Sequence, residues 1–400
     1  MKLAFLGYPH AGGTYTLFRQ LRQSLLPLAI DLQWLAGGEA AYRALSHPAG
    51  GRWVNERNFG YLVGGAPLKD RDLTAAFMDA LRTEGFDGVL INVLTSVAEM
   101  NLARYMPPGM LRVMLVHNIT PGTYAAARSI RDHVHATIAV NDRIRRDLVR
   151  RYGFNDAETV AIPNAVAPCN MPVSRERSIE PRLVFLGRIE DAAKGVFMLP
   201  RIMDGVDPRL TLTIAGDGPD LPALQKRCAH LGPRVSFLGE ISQKAVSGLL
   251  SRHDILLMPS RYEGLPLTLL EAMAAGCVPV ASRLAGVTDT IVTDGRDGCL
   301  VTPGSVRAAR YAVDLLAQDP QALRRMSVAA RETVRQRFSA DQMAVRYAEV
   351  IKAARRNTLR KPPLDLANWT VPSGMQPGLR TMLPAPAKTF LRSLRERLAA

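Results

Sequence analysis

Short, almost wholly apolar runs alternate along this chain with longer stretches in which apolar positions recur at helical spacing. The first run, Lys2–Gly7, predicts a buried strand. A glycine-bearing loop, Tyr8–Gly13, and a helix over Thr16–Leu26 follow it. Strand, glycine loop and helix together open an α/β unit. Further strands are predicted at Gly88–Val93, Arg112–His117 and Ala136–Val140, with helices over Leu73–Glu84 and Asn141–Tyr152. Residues 36–68 keep neither rhythm and read as loops and short strands.

The alternation breaks at Ile162–Pro168, and a polar, proline-bearing stretch continues to Pro181, which marks a domain boundary. Strands then resume at Leu183–Leu186, Leu210–Ala215, Val235–Phe237, Ile255–Met258 and Val278–Ala281, with helices between them. Two β/α halves, each built on a parallel sheet, account for the pattern, and no repeat of fixed period is visible. The expected division is residues 1–165, 166–340 and a C-terminal segment 341–400. From about residue 357 the chain turns basic and proline-rich. In its last part Phe390, Leu391, Leu394 and Leu398 fall at helical spacing beside Lys388, Arg392, Arg395 and Arg397. That pattern suits a protein groove or an anionic membrane face.

Composition bounds the reading. A chain of 400 residues with 47% apolar content is long enough for two domains with real cores. The four cysteines, at 169, 228, 277 and 299, form no zinc-like cluster and read as isolated thiols. The opening MKLAFLGYPHAGG is too weakly apolar for a signal peptide, and no run is long enough to span a bilayer. A cytoplasmic protein is expected, with any membrane contact made peripherally at the inner face. Net charge is +15, and residues 351–400 hold ten Lys/Arg against two Asp/Glu. A second basic cluster is Arg143, Arg145, Arg146, Arg150 and Arg151. Such patches suit an anionic lipid surface, an acidic ligand or a nucleic acid, or serve solubility alone. Aromatic interleaving and RNA-binding signatures are missing, so nucleic acid is not expected as a partner.

The chemistry concentrates in SRYEGLPLTLLEAMAAGCVPV, residues 260–280. Two carboxylates, Glu263 and Glu271, flank a glycine–proline corner in otherwise apolar sequence. The corner follows a strand, and ligands of parallel sheets collect beyond strand carboxyl ends. Gly264 allows close backbone approach, and Pro266 suits the first position of a helix over Leu267–Ala275. That helix start is a place for a diphosphate. Glu271, about one turn in, can accept from vicinal hydroxyls such as a ribose diol, and Glu263 can do the same for a sugar ring. Elsewhere, FLGRIEDAAKG sets Arg188 and Lys194 after a strand end, where a guanidinium fork and an ammonium suit a diphosphate. Gly216-Asp217-Gly218-Pro219 is a tight turn leading into a helix. Each feature alone also fits an ordinary surface acid, surface cation or structural turn.

As a set, Gly187-Arg188, Lys194-Gly195, Gly216-Asp217-Gly218-Pro219, Val235-x-Phe237-x-Gly239 and Glu263-x7-Glu271 resemble retaining glycosyltransferases of family 4, which have the GT-B fold. The resemblance covers roughly residues 180–340. The N-terminal half is similar but looser, through Gly12-Gly13, His117 at a strand end, and Pro163-Asn164. Ala165 stands where the family has glycine, and Asp289 where glutamate is more usual.

The resemblance implies an α/β GT-B fold, two Rossmann-like β/α/β domains facing a central cleft. It implies a hexosyltransferase that moves a sugar from a UDP- or GDP-sugar to a glycan or lipid-linked acceptor, in the setting of polysaccharide biosynthesis. His117, Arg188, Lys194 and Glu263 would be catalytic. Gly12, Gly13, Gly216, Gly264, Leu265, Pro266, Leu267 and Glu271 would bind the donor. No metal or other cofactor is expected. The hinge would use residues 163–181 and a helix near 338–356 that runs back toward the first domain. Competing readings are another GT-B enzyme on sugar nucleotides (a phosphorylase or epimerase), a non-catalytic scaffold, and a polyanion-binding relative.

Overall fold

A computed structural model describes residues 1–7, 13–39, 41, 59–63, 68–93, 96–166, 180–376, 384, 387 and 391. The chain divides into two compact units. One comprises Met1–Ala165 with Ala340–Pro377, and the other is built on Val166–Ser339.

The first unit holds β1 (Lys2–Leu6), β2 (Asp31–Gly37), β3 (Gly60–Val63), β4 (Gly88–Asn92), β5 (Leu111–Val116), β6 (Ala136–Ala139) and β7 (Thr159–Ala161). They form one sheet in the order β3-β2-β1-β4-β5-β6-β7, and every pairing is parallel. The second unit holds β8 (Arg182–Leu186), β9 (Thr211–Ala215), β10 (Val235–Gly239), β11 (Ile255–Met258), β12 (Val278–Ser282) and β13 (Cys299–Val301). These pair in parallel as β10-β9-β8-β11-β12-β13. Both orders are Rossmann-like. Chain order reverses between β1 and β4 in one sheet and between β8 and β11 in the other, and crevices form at such points.

Strands buried on both faces are mostly apolar, which is why β4, β5 and β12 were plain in the sequence, although each buries one polar side chain, Asn92, Arg112 and Ser282. The edge strand β3 has three of its four residues only half-buried, and β2 begins with alternating polar positions. Both lie in or beside the stretch that gave no rhythm. The helix predicted over Thr16–Leu26 spans Gly13–Leu25, so Gly13 is a helical residue and not the end of a loop. Gly12, with most of that loop, lies outside the described residues.

The helix Ala340–Ala354 packs into the first unit's core, where Tyr347, Ala344 and Ile351 meet Leu17, Phe18 and Leu21. Beyond it, residues 355–376 stay on that unit, with two short 3-10 helices at Leu366–Asn368 and Ser373–Met375. Asn357 Nδ2 donates to His135 O at 2.8 Å, Leu364 N to Arg104 O at 2.7 Å, and Asn101 Nδ2 to Thr370 O at 2.9 Å. The amphipathic pattern around 388–398 falls almost wholly outside the described residues. Among the described residues, Ala29 is the non-glycine residue with positive φ, so Ala165 holds an ordinary backbone and requires no glycine. No described helix is long and apolar enough to cross a membrane.

Candidate functional site

The loops that follow β8 and β11 lie on either side of the second sheet's reversal point. After β8 the chain makes a single helical turn, Asp191–Lys194, closed by Gly195 at φ +64°. A Cβ on Gly195 would run into the carbonyl oxygen of Pro259, so glycine lets the two loops touch. Lys194 closes that turn, and its Nζ lies 2.6 Å from Glu263 Oε1. Ser260 Oγ donates to the same oxygen at 2.7 Å. The Lys194 and Glu263 side chains are 27% and 10% exposed, so this ion pair is largely shielded from solvent. Two donors on one carboxylate oxygen fix the group and leave its other oxygen for a further hydroxyl.

On the other side of β8, β9 ends at Ala215 and Gly216 follows at φ +133°. A Cβ there would overlap the Gly187 carbonyl, and one on Gly218 would overlap Ile189 O. The main chains leaving β8 and β9 are thus in close contact, with Ile189 N donating to Asp217 O at 2.8 Å. On the β11 side, Gly264, Leu265, Pro266 and Leu267 are all buried. Pro266 is the N-cap of Leu267–Ala275, one position earlier than its sequence suggested. Its ψ of 104° is extended, so the helical backbone starts at Leu267. The helix has no side-chain cap and no acid in its first turn; Leu269 N turns back to Pro266 O at 3.1 Å, which leaves the dipole and the N–H groups ahead of it to meet an anion.

Glu271 lies farther along this helix. Its Oε1 accepts from Gln243 Nε2 at 2.8 Å. Burial pushes its carboxyl up to about 7, with the hydrogen bond from Gln243 pulling the other way. Glu271 and Glu263 are therefore separate stations, each with its own donor. Arg188 is not drawn into the Lys194–Glu263 pair. Its side chain is 68% exposed and its ionic partner is Glu190 at 3.5 Å. Asp289 serves a local turn, accepting from Val287 N at 3.1 Å.

His117 belongs to the first unit, just past β5. Its Nε2 lies 2.7 Å from Asn92 Oδ1, at the end of the adjacent strand β4. Asn92 Nδ2 donates to Leu6 O at 2.7 Å, so Oδ1 must accept and the His117 proton sits on Nε2. Burial holds the imidazole down to about 4, and it is neutral at pH 7. Its Nδ1 therefore carries a lone pair.

The basic helix Asp142–Tyr152 is less basic at its surface than its sequence implied. Arg143 is buried. Arg145 bonds Thr159 O and Asp156, and Arg151 pairs with Asp147 at 3.2 Å. Sequence reasoning missed Ser260, Gln243 and Asn92. Asn92 had a signal, a polar residue closing the apolar run GVLIN. Gln243 had none, because its partner is 28 residues away. Among the described residues no three His, Cys, Asp or Glu side chains gather as a metal site.

Residues 180–319 match the family model for glycosyl transferases group 1. That segment is similar to the family. The wider chain aligns at 31% identity over 248 residues with glycogen synthase of Mycobacterium tuberculosis, covering 60% of this chain and 58% of that one. It also aligns at 26% identity with N-acetyl-alpha-D-glucosaminyl L-malate synthase of Bacillus anthracis, covering 58% and 57%. The chain thus spans a little under three-fifths of these curated relatives. In structure it is similar to HepE of Anabaena in complex with UDP and glucose, at TM-score 0.71 and 18% identity over 88% of this chain and 100% of that one. It is also similar to a TarM mutant of Staphylococcus aureus, at TM-score 0.72 and 11% identity over 88% and 99%. The architecture is the two-domain GT-B fold.

Proposed function

We propose that the second unit binds a nucleoside-diphosphate sugar at the carboxyl edge of its sheet, and that the chain transfers the sugar to an acceptor with retained anomeric configuration. The observation that carries this reading is the shielded Lys194–Glu263 pair at the β8/β11 reversal, beside an uncapped helix start. The relatives' names support it. The matched curated proteins include a glycogen synthase and an N-acetyl-alpha-D-glucosaminyl L-malate synthase, and HepE is described with UDP and glucose.

In this reading Lys194 and the Leu267–Ala275 helix start take the diphosphate, and Arg188 folds onto it from solvent. Charge that develops on the leaving diphosphate is met by groups already in place, which is the strongest general source of rate. The glycines at 187, 216 and 218 keep backbone close to the phosphates. Glu263 offers its second oxygen to donor-sugar hydroxyls, and Glu271 accepts from the ribose diol as a carboxylate. His117 offers Nδ1 to a sugar hydroxyl, and Gly13 an amide at a helix start. The lysine, the arginine and the helix dipole supply positive charge, so we assign no metal to the step. Chelation with EDTA should then leave donor affinity unchanged. For the acceptor we propose a glycan or lipid-linked precursor, supported by the basic C-terminal segment. Co-sedimentation with anionic but not neutral vesicles is the expected outcome.

The deciding experiment is a thermal-shift panel of UDP, GDP, ADP, TDP and their sugars on the parent chain and on Glu271→Ala. A ligand at 100 times its dissociation constant adds about 2.7 kcal/mol, a shift of a few degrees. One nucleotide family should stabilise the parent and not the variant, and should then support transfer to an acceptor. Equal stabilisation of both removes Glu271 from the donor site. A ligand that binds without transfer favours a scaffold.

A further inference from the structure

Lys194 stands on very little. Its helical turn is four residues long, and an isolated turn has no stability of its own in water. Glu263 takes the ammonium at 2.6 Å, but something else must hold the turn that carries it. One neighbour reaches the turn at two positions. Arg261 Nη2 lies 2.9 Å from Asp191 Oδ2, and Arg261 Nε donates to Asp191 O at 3.0 Å. Arg261 N donates to Ala193 O at 2.8 Å. The same residue thus grips the turn at its first and third positions, just ahead of the lysine. Asp191 in turn accepts from Phe197 N through Oδ1 at 2.9 Å, and its own N–H donates to Asp220 Oδ2 at 2.7 Å. The guanidinium and the Asp191 carboxylate are 22% and 19% exposed, well enough shielded for the geometry to be held. In sequence Arg261 sits between Ser260, which fixes Glu263, and the Tyr262–Glu263 step.

We propose that Arg261 is a positioning residue for Lys194. It locks the turn carrying the ammonium to the loop carrying Glu263, and so sets the spacing at which a donor diphosphate meets Lys194. Its effect on the diphosphate rests on the donor-site reading above, whereas its effect on Lys194 does not. A guanidinium is needed because the two Asp191 acceptors are a main-chain and a side-chain oxygen. A planar fork meets both, and a single ammonium does not.

Two readouts on the full chain test this. The first needs no ligand: lysine acylation by an N-hydroxysuccinimide ester, followed by mass spectrometry. Lys226 and Lys244, both exposed and in the same unit, serve as internal references. Arg261→Ala should speed labelling of Lys194 about fivefold relative to the references, the factor that one lost hydrogen bond is worth. Arg261→Lys should fall between. Where Arg261→Ala fails to fold, Asp191→Asn, which keeps the shape and removes the charge, gives the same comparison. Unchanged Lys194 labelling in these variants overturns the proposal.

The second readout is affinity for UDP, GDP and ADP by calorimetry. The best of these should bind Arg261→Ala more weakly than the parent. Arg261→Ala added to Lys194→Ala should cost nothing further, because the arginine acts through the lysine. A full additional loss in the double variant means Arg261 acts by another route and also overturns the proposal. Faster Lys194 labelling with no nucleotide binding to the parent leaves the positioning role standing and removes the donor site.

Discussion

The two sheets reverse chain order in the same way, at β1 and β4 in one unit and at β8 and β11 in the other, yet they arm the reversal differently. In the second unit the loops past β8 and β11 carry opposite charges, Lys194 and Glu263, 2.6 Å apart and mostly shielded. In the first unit the ends of β4 and β5 carry neutral polar groups, and most of the loop past β1 lies outside the described residues. Asn92 is held by Leu6 O, and His117 is held by Asn92. Topology supplies a crevice in both cases, but the loops decide what it can bind. A charged pair beside an uncapped helix start suits a multiply charged ligand. A fixed neutral imidazole suits a hydroxyl.

The comparison breaks most sharply at Lys194. Lys194→Ala should lower kcat by about 10²–10³-fold, the usual cost of removing one preorganised charge at a reacting centre. Ser260 still donates to Glu263 in that variant, so the fold should survive and circular dichroism should be unchanged. A kcat within a few-fold of the parent would place the charge-bearing role elsewhere, with Arg188 the first alternative.

Glu271 should act on affinity where Lys194 acts on rate. Glu271→Ala should weaken nucleoside-diphosphate binding by about tenfold to a hundredfold, the range for hydrogen bonds to a charged group. The parent's binding should also depend on pH. The carboxylate accepts and the acid does not, so affinity should rise as pH climbs through about 7. The sign for stability is opposite. The folded chain holds this proton more tightly than the unfolded chain, whose value is near 4.5, so stability falls as pH rises from there to about 7. Glu271→Gln should therefore melt higher than the parent at pH 8 while losing the pH dependence of binding. Calorimetry and melting curves at two pH values check both.

Much of the second unit was legible in the sequence, because its signals are local. An apolar strand, a glycine turn and a lone acid in an apolar helix are each contained in one short stretch, as in residues 253–276. The first unit was harder. β2 and β3 are only partly buried at their ends, so their alternation is blurred, and the edge strand β3 has four residues. The contacts that set geometry were the least legible, because they join residues far apart in sequence. Arg261 meets Asp191 across 70 positions, and Gln243 meets Glu271 across 28. The basic helix misled for a related reason. Charge on a sequence does not say which guanidinium turns inward, and Arg143 does.

Gly216 sharpens the comparison from the side of the backbone. At φ +133°, and with the Gly187 carbonyl against it, Gly216→Ala should cost about 1–3 kcal/mol in strain. The second unit's melting transition should fall by several degrees while the first unit's is unchanged. Gly7, also at positive φ but with nothing near its Cβ position, provides the control. Gly7→Ala should cost less, since only its backbone angle resists. Equal losses would mean that conformation alone, and not the close passage of two chains, requires glycine past β9.

The smallest expected effect tests the neutral half of the comparison. With its imidazole held near 4, His117 takes up no proton across the working range, so it should add no limb to the pH profile of kcat/KM. His117→Gln keeps a hydrogen-bonding side chain and should lower kcat/KM by about tenfold, the worth of a single well-placed bond. The shape of the profile between about pH 5.5 and 8.5 should stay the same, because the unperturbed histidine value near 6.5 would otherwise show there. The limb that remains should follow Glu271 and vanish in Glu271→Gln. A profile that instead loses a limb with His117→Gln would mean the imidazole titrates during turnover. The first unit would then contribute a charge, and the division between a charged edge and a neutral edge would fail at the residue that best defines it.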